Sequence, residues 1–208
     1  MRKERDYIQD ISEIRSMMER SSRFLSLSGL AGVMAGIYAL LGVYIAYHFF
    51  HFNPDQIGYT TEQSVPFSSD LPKIIILAIL ILLLAVGTAI FLSYKKARKR
   101  DEKVWNATSR RLLANMAVPL ITGGILLLVL LVKGLIGLIV PLTLVFYGLA
   151  LYNAGKFTYD DVKFLGMIQV GLGLLATCYI EYGLLFWAIG FGVVHIIYGI
   201  YMHLRYER

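Results

Sequence analysis

The sequence predicts an all-α integral membrane protein: a six-transmembrane-helix bundle, both termini inside, with a cytoplasmic N-terminal amphipathic helix. Three observations predict it. Of 208 residues, 57% are hydrophobic and 16% charged, whereas soluble domains carry about a quarter charged. Six apolar runs come close to the ~20 residues that cross about 30 Å of hydrocarbon at 1.5 Å per residue. The charges are clustered, 21 of the 34 falling in residues 1–23 and 95–111.

Taken in order, residues 1–23 come first. Tyr7, Ile11, Ile14 and Met18 recur at spacings of four, three and four among Arg and Glu, the pattern of an amphipathic helix on the lipid surface or under the bundle. A solvated lead-in helix has the same pattern. The membrane domain, 24–203, holds spans at about 24–50, 73–94, 112–132, 135–153, 162–180 and 183–203, and 204–208 form a cytoplasmic tail. The second span is the plainest, apolar from Ile74 to Leu92 with Gly87 and Thr88 as relief. Only Lys133-Gly134 separates the third and fourth, so a re-entrant pair is the alternative there. Pro119 and Pro141 are expected to bend or break these two. The 51–72 connection carries Asn53-Pro54-Asp55 and Pro66 and reads as an external loop, long enough for a lid.

Orientation follows from Lys and Arg. With both termini inside, eighteen of the twenty fall on the cytoplasmic side and only Lys73 and Lys133 outside. The basic block Lys95, Lys96, Arg98, Lys99 and Arg100 is read as a lipid-facing patch meeting anionic head groups. A net charge of +6 therefore points to lipid and not to nucleic acid. Cys178 is the single cysteine, which excludes an intramolecular disulfide and a thiolate cluster. Some twenty polar residues precede the first run, so that run is expected to stay as an anchor and not as a signal peptide.

No Asp or Glu lies inside a span, which argues against an ion-coupled transporter built on a central carboxylate. Neutral polar groups do. Counted from the cytoplasmic ends, Thr88 and Tyr147 lie roughly 9 Å deep, Gln169 roughly 10 Å and His195 roughly 12 Å. Four spans thus place a polar side chain at one level, a candidate site for a small molecule or lipid, centred on His195 because imidazole donates, accepts, ligates or titrates. Interhelical glue is the plain alternative.

His48 and His51, three apart at the outer end of the first span, with Glu181 in the last external turn, offer imidazoles and a carboxylate that a metal accepts. An aromatic membrane interface looks the same. No two histidines on different spans share a depth, so a haem is not expected, and no cofactor is assigned. Enzyme motifs are missing apart from Asp160, Asp161 and Asn153 at the cytoplasmic interface, which leaves an interfacial enzyme as a third reading.

Ser28, Gly32 and Gly36 form a small-residue stripe on the first span, suited to close packing within the bundle or against another copy in a homo-oligomer. Gly32-Val33 with Ile37-Tyr38 echoes Gly192-Val193 with Ile197-Tyr198, read as chance in a limited apolar alphabet. The run EIRSMMERSSRFLSLSGLAGVMAGIYALLG, residues 13–42, resembles the opening of uncharacterised small multi-span bacterial inner-membrane proteins. That resemblance implies a bacterial cytoplasmic membrane and transfers no functional residue. The functional expectation is a non-enzymatic protein that binds or passes a small solute or lipid through the polar layer. The alternative is a structural or regulatory protein acting through partner and anionic-lipid contacts.

Overall fold

The structure is a computed structural model that describes residues 24–50, 52, 71–99 and 104–207. The expected amphipathic helix, residues 53–70 of the expected external loop, His51 and Arg100 lie outside the described residues. Six helices are long and apolar enough to cross a membrane: α1 (Gly29–Phe49), α2 (Leu71–Lys99), α3 (Ala107–Val132), α4 (Ile136–Ala154), α5 (Asp161–Cys178) and α6 (Ile180–Tyr206). At 26 and 19 residues, α3 and α4 extend about 39 Å and 28 Å, so each is long enough to cross by itself.

Local sequence explains the boundaries. Asn106 caps α3: its side chain accepts from the Ser109 N–H at 2.8 Å while Ser109 Oγ accepts from the Asn106 N–H at 2.9 Å. The Asn-Ala-Thr triplet therefore serves as a helix start. At the other end, Gly134 takes φ +73°, and Leu135 and Gly134 donate back to the Leu130 and Leu131 carbonyls. This is a Schellman turn, in which a left-handed glycine reverses the chain with only three residues between helices. Pro141 falls in the first α-helical turn of α4, where its missing N–H costs no bond, and Pro119 sits inside an unbroken α3.

The first span begins later than the sequence predicts. Residues 24–28 are extended and cross the end of the bundle that carries most of the Lys and Arg, here the basic end. Four of the bonds that hold them come from far away in sequence. Phe24 N–H donates to Phe157 O (2.7 Å), Thr158 Oγ1 to Phe24 O (2.6 Å), Tyr159 Oη to Leu25 O (2.7 Å) and Lys96 Nζ to Leu27 O (2.5 Å). A helix over 24–28 would forgo these bonds. Phe24 then packs with Leu112, Leu151, Ala154, Val162, Leu165 and Met202, from α3, α4, α5 and α6, closing that end with an apolar plug.

Ser28, although correctly placed, does not cap α1. Glu207 does so instead, its Oε1 accepting from Gly29 N–H at 2.8 Å and from Lys96 Nζ at 3.0 Å while Oε2 takes His203 Nδ1 at 2.6 Å. Burial pushes the Glu207 carboxyl up, but the bonds from His203, Gly29 and Lys96 outweigh it and hold the group below the ordinary carboxylate range.

Glycines decide which helices meet. On α1, a Cβ at Gly29 would lie 2.5 Å from His203 N, and one at Gly36 would lie 2.6 Å from Gly192 O. Facing them, a Cβ at Gly199 would lie 2.5 Å from Val33 N and 2.6 Å from Gly29 O. The stripe on the first span thus packs inside the bundle, antiparallel to α6. Gly192 and Gly199 on α6 are the other side of the same seam. A second seam joins α4 and α5 through Gly148, Gly166 and Gly173, again with backbone atoms within 2.9 Å of each added Cβ. The first half of α6 contacts α4 and α5 as well as α1, which ties the two seams together. α2 packs on α1, and α3 on α4, at the margins.

Candidate functional site

The polar layer forms where α6 departs from α-helical winding. Ala188–Val194 is π-helical, and a π segment leaves a carbonyl without its usual i+4 donor. Side chains fill that need at Gly190: Gln169 Nε2 on α5 donates to Gly190 O at 2.7 Å, and His195 Nδ1 lies 2.8 Å from the same oxygen. Tyr147 on α4 completes the set, its Oη 3.0 Å from His195 Nε2.

These contacts define the imidazole tautomer. Nδ1 faces a carbonyl that can only accept, so it carries the proton. Nε2 is then the acceptor, and Tyr147 donates to it. Gln169 Nε2 is also 3.3 Å from Nδ1, two donors sharing one acceptor and not a bond between themselves. Gln169 is 0% exposed and His195 5%. Phe191 stacks on the imidazole with ring centroids 5.8 Å apart and lies 5.0 Å from both Tyr147 and Trp187, an apolar roof over the polar set.

Gly190 is required by the same geometry. A Cβ there would meet Leu144 Cδ2 at 2.5 Å and Gln169 Oε1 at 2.7 Å. That Oε1 atom and Tyr198 Oη are buried with no hydrogen-bond partner among the described residues.

Three of the four expected layer residues therefore come together, and the fourth does not. Thr88 bonds Tyr38 Oη at 3.2 Å, within the α1/α2 pair, and makes no bond to Tyr147, Gln169 or His195 among the described residues. Equal depth placed it at the right level on a marginal helix. Sequence reasoning missed the Gly190 carbonyl; the Gly190-Phe191-Gly192 run just ahead of His195 was its only visible signal.

The basic patch also divides. Lys95, Arg98 and Lys99 are exposed. Lys96 is a correction: its side chain is 12% exposed and turned inward, paired with Glu207 and lying 5.6 Å from the centre of the Tyr159 ring. The small neighbours Ser93 and Ala97 are buried on that face and leave room for its stem. His48 is exposed and rests against Tyr44 and Tyr47, with centroids at 4.5 and 5.3 Å, and Glu181 is exposed in the turn that opens α6. Among the described residues no three His, Cys, Asp or Glu side chains are grouped to hold a metal ion. At the basic end, Asp161 accepts from Tyr206 Oη (2.7 Å) and pairs with Arg205 (3.3 Å), while Asp160 pairs with Lys163 (2.6 Å). Compared with known proteins, the chain matches no protein-family model, no curated protein and no solved structure.

Proposed function

We propose that this chain is a non-enzymatic structural or regulatory protein of a bacterial cytoplasmic membrane, its basic end in the cytoplasm, working through its lipid-facing and cytoplasmic surfaces. The observation that carries this reading is that the polar layer is turned inward on the helix it braces. Tyr147 bonds His195, and His195 and Gln169 Nε2 both bond Gly190 O, under Phe191 and between two seams at backbone contact; only Gln169 Oε1 is left over. Such a layer pins the π segment and sets which helices meet, the role of interhelical polar contacts in a membrane, where each contributes about 0.6 kcal/mol on average. The orientation is supported by the loop charges: with six crossings and both termini on one side, eighteen of the twenty Lys and Arg would fall on that side.

A second reading, passage or binding of a small solute at this layer, draws on one observation. Gln169 Oε1 is a buried acceptor still open to a donor. One experiment separates the two. In a Cys178→Ser background, Gln169→Cys, His195→Cys and Phe191→Cys are challenged with a small membrane-impermeant thiol reagent from each side, with Trp105→Cys and Lys133→Cys as controls. We expect each control to label from its own side and the three layer positions to stay unreactive. Labelling of the layer from either side overturns the scaffold reading in favour of an aqueous pathway.

A further inference from the structure

We propose that the outer face of α2 at the basic end is a binding site for one anionic phospholipid. The residues concerned follow a helical stripe. Phe91, Tyr94, Lys95, Arg98 and Lys99 line a shallow, open recess on one side of α2, and the three cations, at i, i+3 and i+4, share one face. Among the described residues none of the three is paired with a carboxylate. The contrast with the neighbouring cations is sharp: Lys96 is held by Glu207, Lys163 by Asp160 and Arg205 by Asp161. Among the described residues, the positive charge at this recess thus has no carboxylate to meet it. It also exceeds the partial negative charge at the end of α2, about half an elementary charge.

Two features select a lipid over a free phosphate. Two of the five lining residues are aromatic, Phe91 and Tyr94, both largely exposed at the level where such rings meet head groups. Below them the same face runs into bare apolar surface. Gly87, one turn from Phe91, has no atom within 4 Å of an added Cβ, and Leu83, Leu84 and Ile90 beside it are exposed. A phosphodiester on Lys95, Arg98 and Lys99 would lay an acyl chain along Phe91 and over Gly87. The assignment rests on the membrane setting and orientation proposed above.

The test is native mass spectrometry of the full chain in mild detergent, titrated with phosphatidylglycerol or phosphatidylcholine. We expect one phosphatidylglycerol to be retained in preference to phosphatidylcholine, and its affinity to fall at least tenfold in Lys95→Gln/Arg98→Gln/Lys99→Gln. Lys95→Arg/Lys99→Arg should keep it. An unchanged affinity in the triple variant overturns the site, as does an equal fall for phosphatidylcholine. Glycerol phosphate competing as well as the lipid reduces it to a plain anion site and likewise overturns the proposal. Should the triple variant fail to fold, raising the salt on the wild type decides: bound phosphatidylglycerol must be lost, and retention at high salt refutes the assignment. The outcome is independent of the thiol experiment. Labelling of the polar layer would sink the scaffold reading and leave a lipid result standing, and loss of the lipid site would leave an unreactive layer untouched.

Discussion

Helix α2 and helix α5 make an instructive pair. α2 is the most apolar of the six spans, yet none of its central 18-residue window is buried; α5 is the least apolar, and a third of its window is buried. In a water-soluble protein the ranking would run the other way, because burial follows hydrophobicity there. In a bilayer the surrounding acyl chains are as apolar as leucine and reward no such burial. What goes inside is what packs closely or must satisfy a polar group: Gly166, Gly173 and Gln169 on α5, against Gly148 on α4 and Gly190 on α6. Hydropathy therefore marks the lipid-facing rim of this molecule, and small and polar residues mark its interior.

The sharpest way to break that contrast is to add carbon to a seam. In Gly199→Val the new side chain would start 2.5 Å from Val33 N and 2.6 Å from Gly29 O, both backbone atoms that cannot move without separating α1 from α6. We expect a loss of about 3 kcal/mol or more, enough to abolish a cooperative melt in detergent. Gly87→Val on α2 meets nothing within 4 Å and should stay within about 1 kcal/mol of wild type. Melting both variants side by side decides the matter. Equal losses would mean that the seam is no tighter than the rim.

A smaller effect is expected where polar contacts replace close packing. A double-mutant cycle of Tyr147→Phe and His195→Phe, read as thermal or steric-trap stability, should give a coupling of about 0.6 kcal/mol and no more than about 1.7. The bond being probed is the 3.0 Å contact between Tyr147 Oη and His195 Nε2. A Thr88→Val change should show no coupling to either residue, since Thr88 bonds Tyr38 instead. Coupling between Thr88 and His195 would restore the four-membered layer that depth counting suggested.

That failure of Thr88 shows what one dimension can carry. Span length, loop charge and depth are linear quantities, so the six helices, the basic end and the common level of Tyr147, Gln169 and His195 were all legible. Which helix neighbours which is not linear. α2 reaches the right depth but packs on α1 at the margin, and nothing in its own sequence says so. Residues 24–28 read as span because Phe24, Leu25 and Leu27 are apolar. Their extended course depends on Phe157, Thr158 and Tyr159, more than 130 positions away. The glycines of α1 and α6 were visible as small residues on two spans, and that they face each other is seen only in the packed bundle. Lys96 was grouped with Lys95 by adjacency, and only the burial of Ser93 and Ala97 at i−3 and i+1 shows that its side of the helix is the inner one.

Lys96 also supplies the gentlest test, because through it the rim is fastened to the interior. α2 shares its seam-free face with α1 and is tied at the basic end by the Lys96 ion pair to Glu207, which at the same time caps α1. The Glu207 carboxyl titrates below its ordinary range in the folded chain: burial opposes this, but the bonds from His203, Gly29 and Lys96 prevail. A carboxyl depressed on folding contributes stability that is fully present above its unfolded pKa, about 4.3, and is lost as pH falls through the lower folded value. Wild type should therefore melt at a higher temperature than Glu207→Gln at pH 7, and the two curves should converge as the pH is taken below about 4.3. The glutamine keeps the shape and one acceptor, so the difference between them measures the charge. Because the Glu207 side chain is 11% exposed and Lys96 12%, solvent screens the pair only in part, and we expect a gap of the order of 1 kcal/mol or less, smaller than any seam effect. Curves that stay parallel as the pH is lowered through this range would mean that the Glu207 charge stabilises neither the α1 cap nor the tie to Lys96, and that α2 is held by its apolar contact with α1.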